Sequence, residues 1–533
     1  MQIRSLLITS LIFLFGVLVT DAANLQEDKC KRLAAGSFTS LNITSATHHS
    51  ATETAPEHCE IMAAIPPQRA DGYPINLRVV LPTDWSGHAL QFGGGGYNGS
   101  IPLHEGATWQ TPEAKKNFPF KRHVTFSGDS GHQSDSSFSA SFALNEEALR
   151  NYASESIKKT RDAAMTIIEA HYGRTTEKTY FVGFSNGGRE AMIAAQKYPQ
   201  DYDGILSGDP VASLSMLSIN HHKAVSGFYK NEGAAWINNT QAKLVTKAIY
   251  DQCDPKDGLE DGWIADFEGC EPDLSVLRCS SGEVEDDYCL SDSQIDAVNN
   301  VHTDLKLSYE LVNGVKGMPG YPWGNVDFDV SITGSRPVPS FPDPNVGGQD
   351  AVLYRYADSY IRFFIARDPQ FNPLKFNPED HAFRKRIVEV SNMIDATDPD
   401  LSKFYDQGGK LILYVGGASE VPPAAIAQYW NSIIDTMGKD RVSKFARFYI
   451  FPSVNHGGMQ NPGLPCAVDL FSELESWVET GIPPGKLINT SAGYKPTAER
   501  PLCEYPNYPR YNGTGDPMKA ENFTCTLSNK NIQ

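Results

Sequence analysis

A stretch of 21 residues, 179–199, limits the possible fold more than any other part of the chain: "TYFVGFSNGGREAMIAAQKYP". Its apolar first part is typical of a buried strand, and its second part has the periodicity of an amphipathic helix. Between them, Gly183, Ser185 and Gly187 fit the pattern G-x-S-x-G, in which a sharp strand-to-helix turn exposes the serine hydroxyl above a sheet. The alternative is a glycine-rich turn that contains a serine by chance. The strand before the turn and the helix after it favour a nucleophile.

A serine nucleophile needs a base, normally histidine, and the histidine needs an acid that orients it. His456 in "FPSVNHGGM" directly follows the last strand of the predicted sheet and is the predicted base. Where such a serine turn occurs, the chain order is serine, acid, histidine, so the acid should follow the strand "KLILYVGG" (410–417). Glu420 is the only carboxylate at this strand end and is the predicted acid. The alternative is a solvated surface glutamate.

Four consecutive glycines, residues 93–96, follow another predicted strand. A loop of this kind directs a backbone N–H group at the negative oxygen that forms during acyl transfer. We assign this role to Gly95 and Gly96, together with Asn186, which follows the serine. A phosphate-binding loop would need a lysine after the glycines, and "YNGSIP" contains none.

In an acidic loop, "CDPKDGLEDGWIADFEGC" (253–270), the first three of four aspartates recur at spacings of three and four residues. Carboxylates that are interleaved with backbone carbonyls are the hard oxygen ligands that Ca²⁺ prefers. The spacing differs from that of an EF-hand, and an acidic solvated loop is the alternative. Asp254, Asp257 and Asp261 are the candidate ligands.

The N-terminus and the cysteines predict export. Residues 1–23 have a basic start, a short apolar run and small residues at their end, which is the pattern of a cleaved signal peptide. In an oxidising compartment most of the nine cysteines should pair, and closeness in sequence favours 253–270, 279–289 and 503–525, with 30–59 as a further candidate. Cys466 is then either free or paired between molecules. Six sequons also agree with a secreted, extracellular protein: Asn42, Asn98, Asn238, Asn489, Asn512 and Asn522.

Alternation of strands and helices stops near residue 210 and resumes near residue 407. The predicted fold is therefore an α/β core, residues 24–209 and 407–500, interrupted by an inserted lid domain, residues 210–406. Residues 501–533 form a C-terminal segment stapled by a disulfide. One continuous helix is predicted over residues 145–173. The net charge of −18 argues against nucleic-acid partners and against anionic membrane surfaces.

Six motifs together resemble the tannase and feruloyl esterase family: "GFSNGGREA", "GGGGYNG", "IEAHYGR", "CDPKDGLEDG", "GGKLILYVGG" and "NHGG". The resemblance implies an α/β-hydrolase core with an inserted lid, and a secreted serine esterase that acts on phenolic acid esters such as feruloyl or galloyl esters. It implies Ser185 as nucleophile and His456 as base, and no organic cofactor. It also implies a structural calcium ion in the lid, held by the side chains of Asp254, Asp257 and Asp261 and by the carbonyls of Leu259 and Trp263.

The chain departs from the family pattern at two places. Members usually carry a disulfide between the residue before the serine and the residue after the histidine, which are here Phe184 and Gly457. The catalytic aspartate of the family aligns with Ser419, or with Glu420 after a shift of one residue. A serine cannot stabilise the imidazolium by charge, and losing that charge costs roughly 10⁴ in kcat.

Two functions follow from these observations. The leading hypothesis is an esterase for a small-molecule or polysaccharide-linked aromatic ester, with Glu420 as its acid. The alternative is a weakened or inactive family member that binds a phenolic or glycan ligand.

Overall fold

The structure, a computed structural model, describes most of the chain: residues 25–53, 55–102, 122–283, 286–323, 328–340, 348–456, 458–459, 463, 465–491 and 497–528. The predicted signal peptide and Gly457 lie outside the described residues. Among the residues within these ranges, no helix is both long and apolar enough to cross a membrane.

The strands are, in chain order, β1 (Asn42–His49), β2 (His58–Ile65), β3 (Ile75–Pro82), β4 (His88–Phe92), β5 (Val124–Gly128), β6 (Lys178–Phe184), β7 (Gly204–Gly208), β8 (Leu305–Lys306), β9 (Gly317–Met318), β10 (Lys410–Gly416), β11 (Ala446–Phe451), β12 (Val454–Asn455), β13 (Gly458–Met459), β14 (Leu487–Thr490), β15 (Glu499–Leu502), β16 (Asn507–Tyr511) and β17 (Phe523–Leu527).

The α-helices are α1 (Glu146–Arg150), α2 (Ser156–Tyr172), α3 (Asn186–Lys197), α4 (Leu214–Tyr229), α5 (Asn239–Cys253), α6 (Asp292–His302), α7 (Val352–Ser359), α8 (His381–Ile394), α9 (Ser402–Asp406), α10 (Pro423–Met437), α11 (Lys439–Val442) and α12 (Leu470–Thr480). Residues 25–35 are also helical. The helix predicted over residues 145–173 is present, but a π-helical turn, Asn151–Glu155, separates α1 from α2.

Nine strands form one sheet in the order β1-β2-β3-β5-β4-β6-β7-β10-β11. From β5 to β11 all neighbours are parallel, whereas β1, β2 and β3 join antiparallel at one edge. Parallel strands are buried on both faces, and β7 and most of β6 and β10 are accordingly buried along their length. The α/β-hydrolase fold predicted from the sequence is confirmed.

The register of the parallel strands brings their carboxyl ends together at one edge of the sheet. Phe184 at the end of β6 pairs with Gly208 at the end of β7, and Gly208 also pairs with Tyr414 of β10. Ser185 and Asp209 are therefore the next residues of two adjacent strands. Ligands of open α/β sheets bind outside such carboxyl ends.

The chain leaves the sheet after β7 and returns at β10, which pairs with β7. The intervening residues pack partly against the sheet and partly around a second apolar cluster that α4, α5, α6 and α7 share. This arrangement suits an insertion into the α/β core. Its function as a lid, and the residue boundaries given above, stay predictions.

Four disulfides connect the predicted cysteines: Cys30–Cys59, Cys253–Cys270, Cys279–Cys289 and Cys503–Cys525. All four pairings that closeness in sequence suggested are confirmed. Cys466 lies outside these pairs and is buried in the apolar cluster beside α12.

Candidate active site

Ser185 lies at the turn between β6 and α3 and has the strained backbone that the motif predicts. Its φ of 62° and ψ of −123° lie in a region that residues with a side chain rarely adopt. Backbone hydrogen bonds hold the turn, because the Ser185 N–H donates to Gly208 at 2.9 Å and its carbonyl accepts from Val211 at 3.2 Å. Such strain persists only where the surroundings fix it, and it is common at active sites.

The glycines of the motif allow backbone segments to approach closely. A Cβ at Gly183 would clash with the carbonyl oxygen of Gly187, and a Cβ at Gly187 would lie 2.9 Å from the carbonyl carbon of Gly93. A Cβ at Gly93 would in turn lie 2.6 Å from the Cα of Gly187. The serine turn, α3 and the glycine loop therefore pack directly against one another through backbone atoms at the glycines.

His456 directly follows β12 and reaches the serine. Its Nε2 atom lies 2.7 Å from Ser185 Oγ, within hydrogen-bond distance. The structure thus brings together two predicted residues that are 271 positions apart in the sequence. The Phe184 ring lies 5.0 Å from the imidazole, so Phe184 packs against the base.

Two groups face the other ring nitrogen of His456. Ser419 Oγ lies 3.0 Å from Nδ1, and Asp209 Oδ1 lies 3.7 Å from it. Burial opposes a charge on the imidazole, but the close contact and charge of Asp209 and the charge of Glu420 outweigh it, so the pKa of His456 is raised. The site thus favours the imidazolium that forms when the histidine takes a proton.

Glu420 contacts a different part of His456. Its Oε2 accepts the backbone N–H of His456 at 3.1 Å, and its Oε1 accepts the hydroxyl of Ser331 at 2.6 Å. The predicted acid is therefore adjacent to the base, but its described hydrogen bonds fix the His456 backbone and not the ring.

The glycine loop is held against α3 by two buried side chains. Glu190 accepts the Gly94 N–H at 2.9 Å, and the Asn186 amide donates to the Gly94 carbonyl at 3.2 Å and to Glu190 at 3.2 Å. Among the hydrogen bonds of the described residues, the Gly95 and Gly96 N–H groups have no acceptor. This agrees with the predicted oxyanion role of Gly95 and Gly96 and places Asn186 as the support of the loop.

A cavity of about 210 Å³ opens at Ser185 and His456. Its walls come from the glycine loop, from the start of α4 and from α7, and they are mostly apolar. His221 of α4 lines the cavity as a neutral imidazole, because burial lowers its pKa to about 3. The remaining lining residues include Tyr97, Val211, Leu214, Leu217, Val352, Leu353, Tyr356 and Val421.

The acidic loop lies apart from the cavity, beside the C-terminal segment. Asp254 accepts the N–H groups of Gly262 and Trp263, and Asp257 accepts those of Leu259 and Ala265. Asp261 bonds to the buried guanidinium of Arg500 at 2.7 Å. Burial, together with the charges of Asp261 and Asp254, raises the pKa of Asp257 to about 8. The single positive charge of Arg500 does not balance the acidic cluster, so the loop keeps an excess of negative charge.

Sequence reasoning missed one residue of the site, Asp209. The motif "SGDP" looks like an ordinary end of a strand followed by a turn, and the chain order of the triad points to an acid after the next core strand. The available signal was position: any carboxylate directly after a strand adjacent to the serine's strand lies at the same sheet edge.

The sheet, with its strained serine turn at the carboxyl edge, defines the class of protein as an α/β-hydrolase. The family profile described as "Tannase and feruloyl esterase" matches residues 59–526. The chain belongs to this family and is a carboxylic ester hydrolase.

Relatives and solved structures agree with this assignment. An uncharacterized esterase of Agrobacterium fabrum is 35% identical to this chain and covers 88% of it, with 85% of the relative matched. A mono(2-hydroxyethyl) terephthalate hydrolase of Piscinibacter sakaiensis is 29% identical, with the same coverage of 88% and 85%. The crystal structure of feruloyl esterase B from Aspergillus oryzae matches with a TM-score of 0.77 at 20% identity, covering 94% of this chain and 100% of that one, and supports the fold.

Proposed function

We propose that the protein is a secreted serine esterase that hydrolyses esters of aromatic, phenolic carboxylic acids, such as feruloyl or galloyl esters, through an acyl-enzyme. The observation that carries this proposal is the 2.7 Å contact between Ser185 Oγ and His456 Nε2 at the base of an apolar cavity. A hydroxyl that is hydrogen-bonded to an imidazole in this way is an activated nucleophile.

The chemistry follows from the positions of the groups. Ser185 Oγ attacks the ester carbonyl while its proton passes to Nε2 of His456. The N–H groups of the glycine loop and of Asn186 stabilise the negative oxygen of the tetrahedral intermediate. The imidazolium then protonates the departing alcohol, and a water molecule, deprotonated by the same imidazole, releases the acid from Ser185.

The cavity supports an aromatic acyl group. It is smaller than a site for a drug-sized ligand and suits one ring with short substituents. Its aliphatic walls and Tyr356 provide apolar faces against which a ring can pack. Two relatives point the same way, since one is named for a terephthalate ester and a probable enzyme of Arthroderma benhamiae is named for a feruloyl ester.

A hydrolysis panel tests this function. Purified protein is incubated with methyl ferulate, methyl gallate and 4-nitrophenyl butyrate, and each product is quantified for the wild type and for Ser185→Ala. We expect hydrolysis of the aromatic esters that Ser185→Ala abolishes. Activity on the butyrate alone would contradict the aromatic substrate class, and activity that persists in Ser185→Ala would contradict the nucleophile. Tight binding of ferulate without turnover by the wild type would favour the alternative, a ligand-binding member.

Secretion is part of the proposal and rests on residues 1–23, on the four disulfides and on the sequons. Asn98 and Asn489 are almost completely buried, so a glycan would not fit there, whereas Asn512 is exposed. Expression of the full chain in a eukaryotic host, followed by mass spectrometry of the medium, should find the mature protein with glycans at Asn512 and none at the two buried sites.

A structural calcium ion in the acidic loop is also proposed. The donor set fits, because Asp254, Asp257 and Asp261 supply carboxylates and the carbonyls of Leu259 and Trp263 are hard oxygen donors. The carboxylate oxygens do not all lie within 4.8 Å of one another in the described structure, so binding requires side-chain movement. When bound, the ion would neutralise the excess charge of the loop.

Thermal unfolding tests calcium binding without using activity. Protein stripped with EGTA should unfold at a lower temperature than the same protein in millimolar Ca²⁺, with Mg²⁺ as the control ion. Asp257→Asn should remove most of the difference. Equal unfolding temperatures in EGTA and in Ca²⁺ would contradict the site.

A further inference from the structure

We propose that Asp209, directly after β7, is the acid that orients the His456 imidazole and stabilises its positive charge, in place of a carboxylate from the loop after β10. The inference rests on the function proposed above, since it concerns the base that serves Ser185. Asp209 does not touch the substrate in this scheme and acts through His456, so it is a positioning residue.

The first support is the geometry around Nδ1. With Nε2 accepting the Ser185 proton, the hydrogen of the neutral imidazole must be on Nδ1. Asp209 Oδ1 lies 3.7 Å from this atom and is a carboxylate in close contact with it. This is longer than a good hydrogen bond, but such catalytic contacts are often long in the absence of substrate and tighten in the complex.

The second support is the burial of Asp209. Its side chain has no solvent exposure, and its φ of 41° is unusual for a residue that is not glycine. The Asp209 N–H donates to Tyr414 at 2.7 Å, and Oδ1 accepts the Gly416 N–H at 3.2 Å. Among the described residues Oδ2 has no hydrogen-bond partner. A buried carboxylate with so few donors is costly unless a positive charge forms beside it, and the imidazolium of His456 is such a charge.

The third support is that the other candidates are engaged differently. Glu420 is held by the His456 backbone N–H and by Ser331. Ser419 Oγ lies 3.0 Å from Nδ1 and also accepts the Val421 N–H at 3.1 Å. Ser419 therefore orients the ring but carries no charge. Orientation by Ser419 and charge from Asp209 together supply what one aspartate supplies in a usual triad.

The electrostatics agree with this division. In the described structure the titratable groups around the His456 ring are Asp209, Glu420 and His221. Burial lowers the pKa of His456, while Asp209 raises it through its contact with Nδ1 and through its charge, and Glu420 raises it by charge. His221 is neutral. Asp209 therefore makes the largest contribution to raising the pKa of His456.

During the reaction Asp209 remains a carboxylate. The Ser185 proton moves to Nε2 as the bond from Oγ to the carbonyl carbon forms, and the imidazolium keeps its Nδ1 proton between Ser419 and Asp209. The Nε2 proton then leaves with the alcohol as the ester bond breaks. The deacylating water repeats the same transfer, so no proton is gained or lost by Asp209.

The test compares Asp209→Asn with the wild type, using 4-nitrophenyl butyrate and a fluorophosphonate that labels activated serines whatever the natural ester. We expect Asp209→Asn to lower kcat and the labelling rate by about 10³-fold with little change in KM. The midpoint of the acidic limb of the kcat/KM profile, which reports the pKa of free His456, should move to lower pH, because a contribution that raises this pKa is lost.

A rescue variant separates charge from structure. In Asp209→Asn/Ser419→Asp a carboxylate is placed on the atom that already approaches Nδ1, and kcat should recover by about 10-fold or more. The pH midpoint should return toward that of the wild type. If the double variant does not fold, the pH midpoint of Asp209→Asn decides the proposal.

Asp129→Asn is the matched control. Asp129 directly follows β5 and is as buried as Asp209, but its carboxylate binds Asn76, Gly131 and Gln133. This variant should lose stability and keep the pH midpoint. A folded Asp209→Asn with near wild-type labelling and an unchanged midpoint would overturn the proposal. Labelling that survives Ser185→Ala would instead overturn the proposed function, so the two failures differ.

Discussion

At the scale of single residues, His456 is in contact with four neighbours at three different atoms. Nε2 faces Ser185, Nδ1 faces Ser419 and Asp209, and the backbone N–H is bound by Glu420. The ring orientation and the position of the loop that carries it are therefore controlled separately. This separation makes the role of Glu420 testable independently of the ring.

Glu420→Gln should have a modest effect on catalysis. The glutamine keeps one oxygen for the His456 N–H or for Ser331 but loses the charge, so we expect kcat to fall by about 10-fold and stability by about 1 kcal/mol. Ser331→Ala, which removes only the second partner of Glu420, should have a smaller effect on both. The measurements are kcat on 4-nitrophenyl butyrate and thermal unfolding. A 10³-fold loss of kcat in Glu420→Gln would assign the triad acid to Glu420 and not to Asp209.

The sequence predicts the residues of this site that carry local patterns. Ser185 lies in a motif that is defined by its flanking strand and helix, and His456 lies in a loop directly after a strand. The role proposed for Asp209 depends on two long-range facts, the pairing of β7 with β6 and the hydrogen bond of Glu420 to the His456 backbone. Neither fact is encoded in the residues next to Asp209, so the sequence points to an acid after β10 and gives no sign that Asp209 lies beside the base.

At the scale of elements, the site is built from a strand, a loop and a helix that meet through glycines. β6 ends at the serine turn, α3 begins there, and the loop after β4 lies on α3. The π-helical turn between α1 and α2 belongs to the same assembly. Its widened backbone offers the carbonyls of Tyr152 and Ala153 to the buried guanidinium of Arg189, each at 2.9 Å. Periodicity alone predicts one unbroken helix there. It carries no information about Arg189, which comes from α3 and binds these carbonyls.

Gly183→Ala should destabilise the protein strongly. Its Cβ would clash with the Gly187 carbonyl oxygen, which is backbone and cannot rotate away, so we expect a loss of about 3 kcal/mol in the free energy of unfolding. Gly95→Ala is the matched control in the neighbouring loop, because its Cβ would have no atom within 4 Å. Urea unfolding followed by circular dichroism measures both. Equal stabilities for the two variants would contradict the close approach of the turn and the helix.

Glu190→Gln should loosen the glycine loop. One oxygen of Glu190 accepts Gly94 and the other accepts Asn186, and a glutamine would turn its amide hydrogens toward one of these donors. With the loop displaced, the N–H groups proposed to bind the oxyanion are misplaced, and we expect kcat to fall by about 10- to 100-fold with KM nearly unchanged. Glu155→Gln, at a half-exposed position on the π-helical turn, is the control. An unchanged kcat in Glu190→Gln would remove the loop from the catalytic machinery.

At the scale of the whole molecule, the insertion and the C-terminal segment meet at the acidic loop. Arg500 of β15 donates to Asp261, and Arg510 of β16 donates to the carbonyl of Lys256 at 2.9 Å. The Cys503–Cys525 disulfide connects two parts of the same segment, and the backbone of Glu504 pairs with that of Tyr449 of β11 in an isolated β-bridge. The loop therefore connects the insertion to the α/β core through the C-terminal strands. The sequence predicts this disulfide from cysteine spacing, but it does not predict the contact of Arg500 with a residue 239 positions earlier.

Arg500→Gln tests this junction and the calcium proposal together. Arg500 is 3% exposed, stacks on Phe523 and supplies the compensating charge for Asp261. Its loss leaves three acidic side chains close together, so the calcium-free protein should lose about 3 kcal/mol of stability. The same change makes the loop more negative, and a cation that binds only the folded state then restores more stability than before. We therefore expect a lower unfolding temperature in EGTA than for the wild type and a larger increase on adding Ca²⁺.

Lys519→Gln is the control, because it removes an exposed ion pair with Glu499 in the same segment. It should change neither the stability in EGTA nor the stabilisation by Ca²⁺ by more than the roughly 1 kcal/mol of a surface pair. A Ca²⁺ response that is smaller in Arg500→Gln than in the wild type would mean that Arg500 helps to form the ion site, and that the charge balance proposed for this loop is wrong.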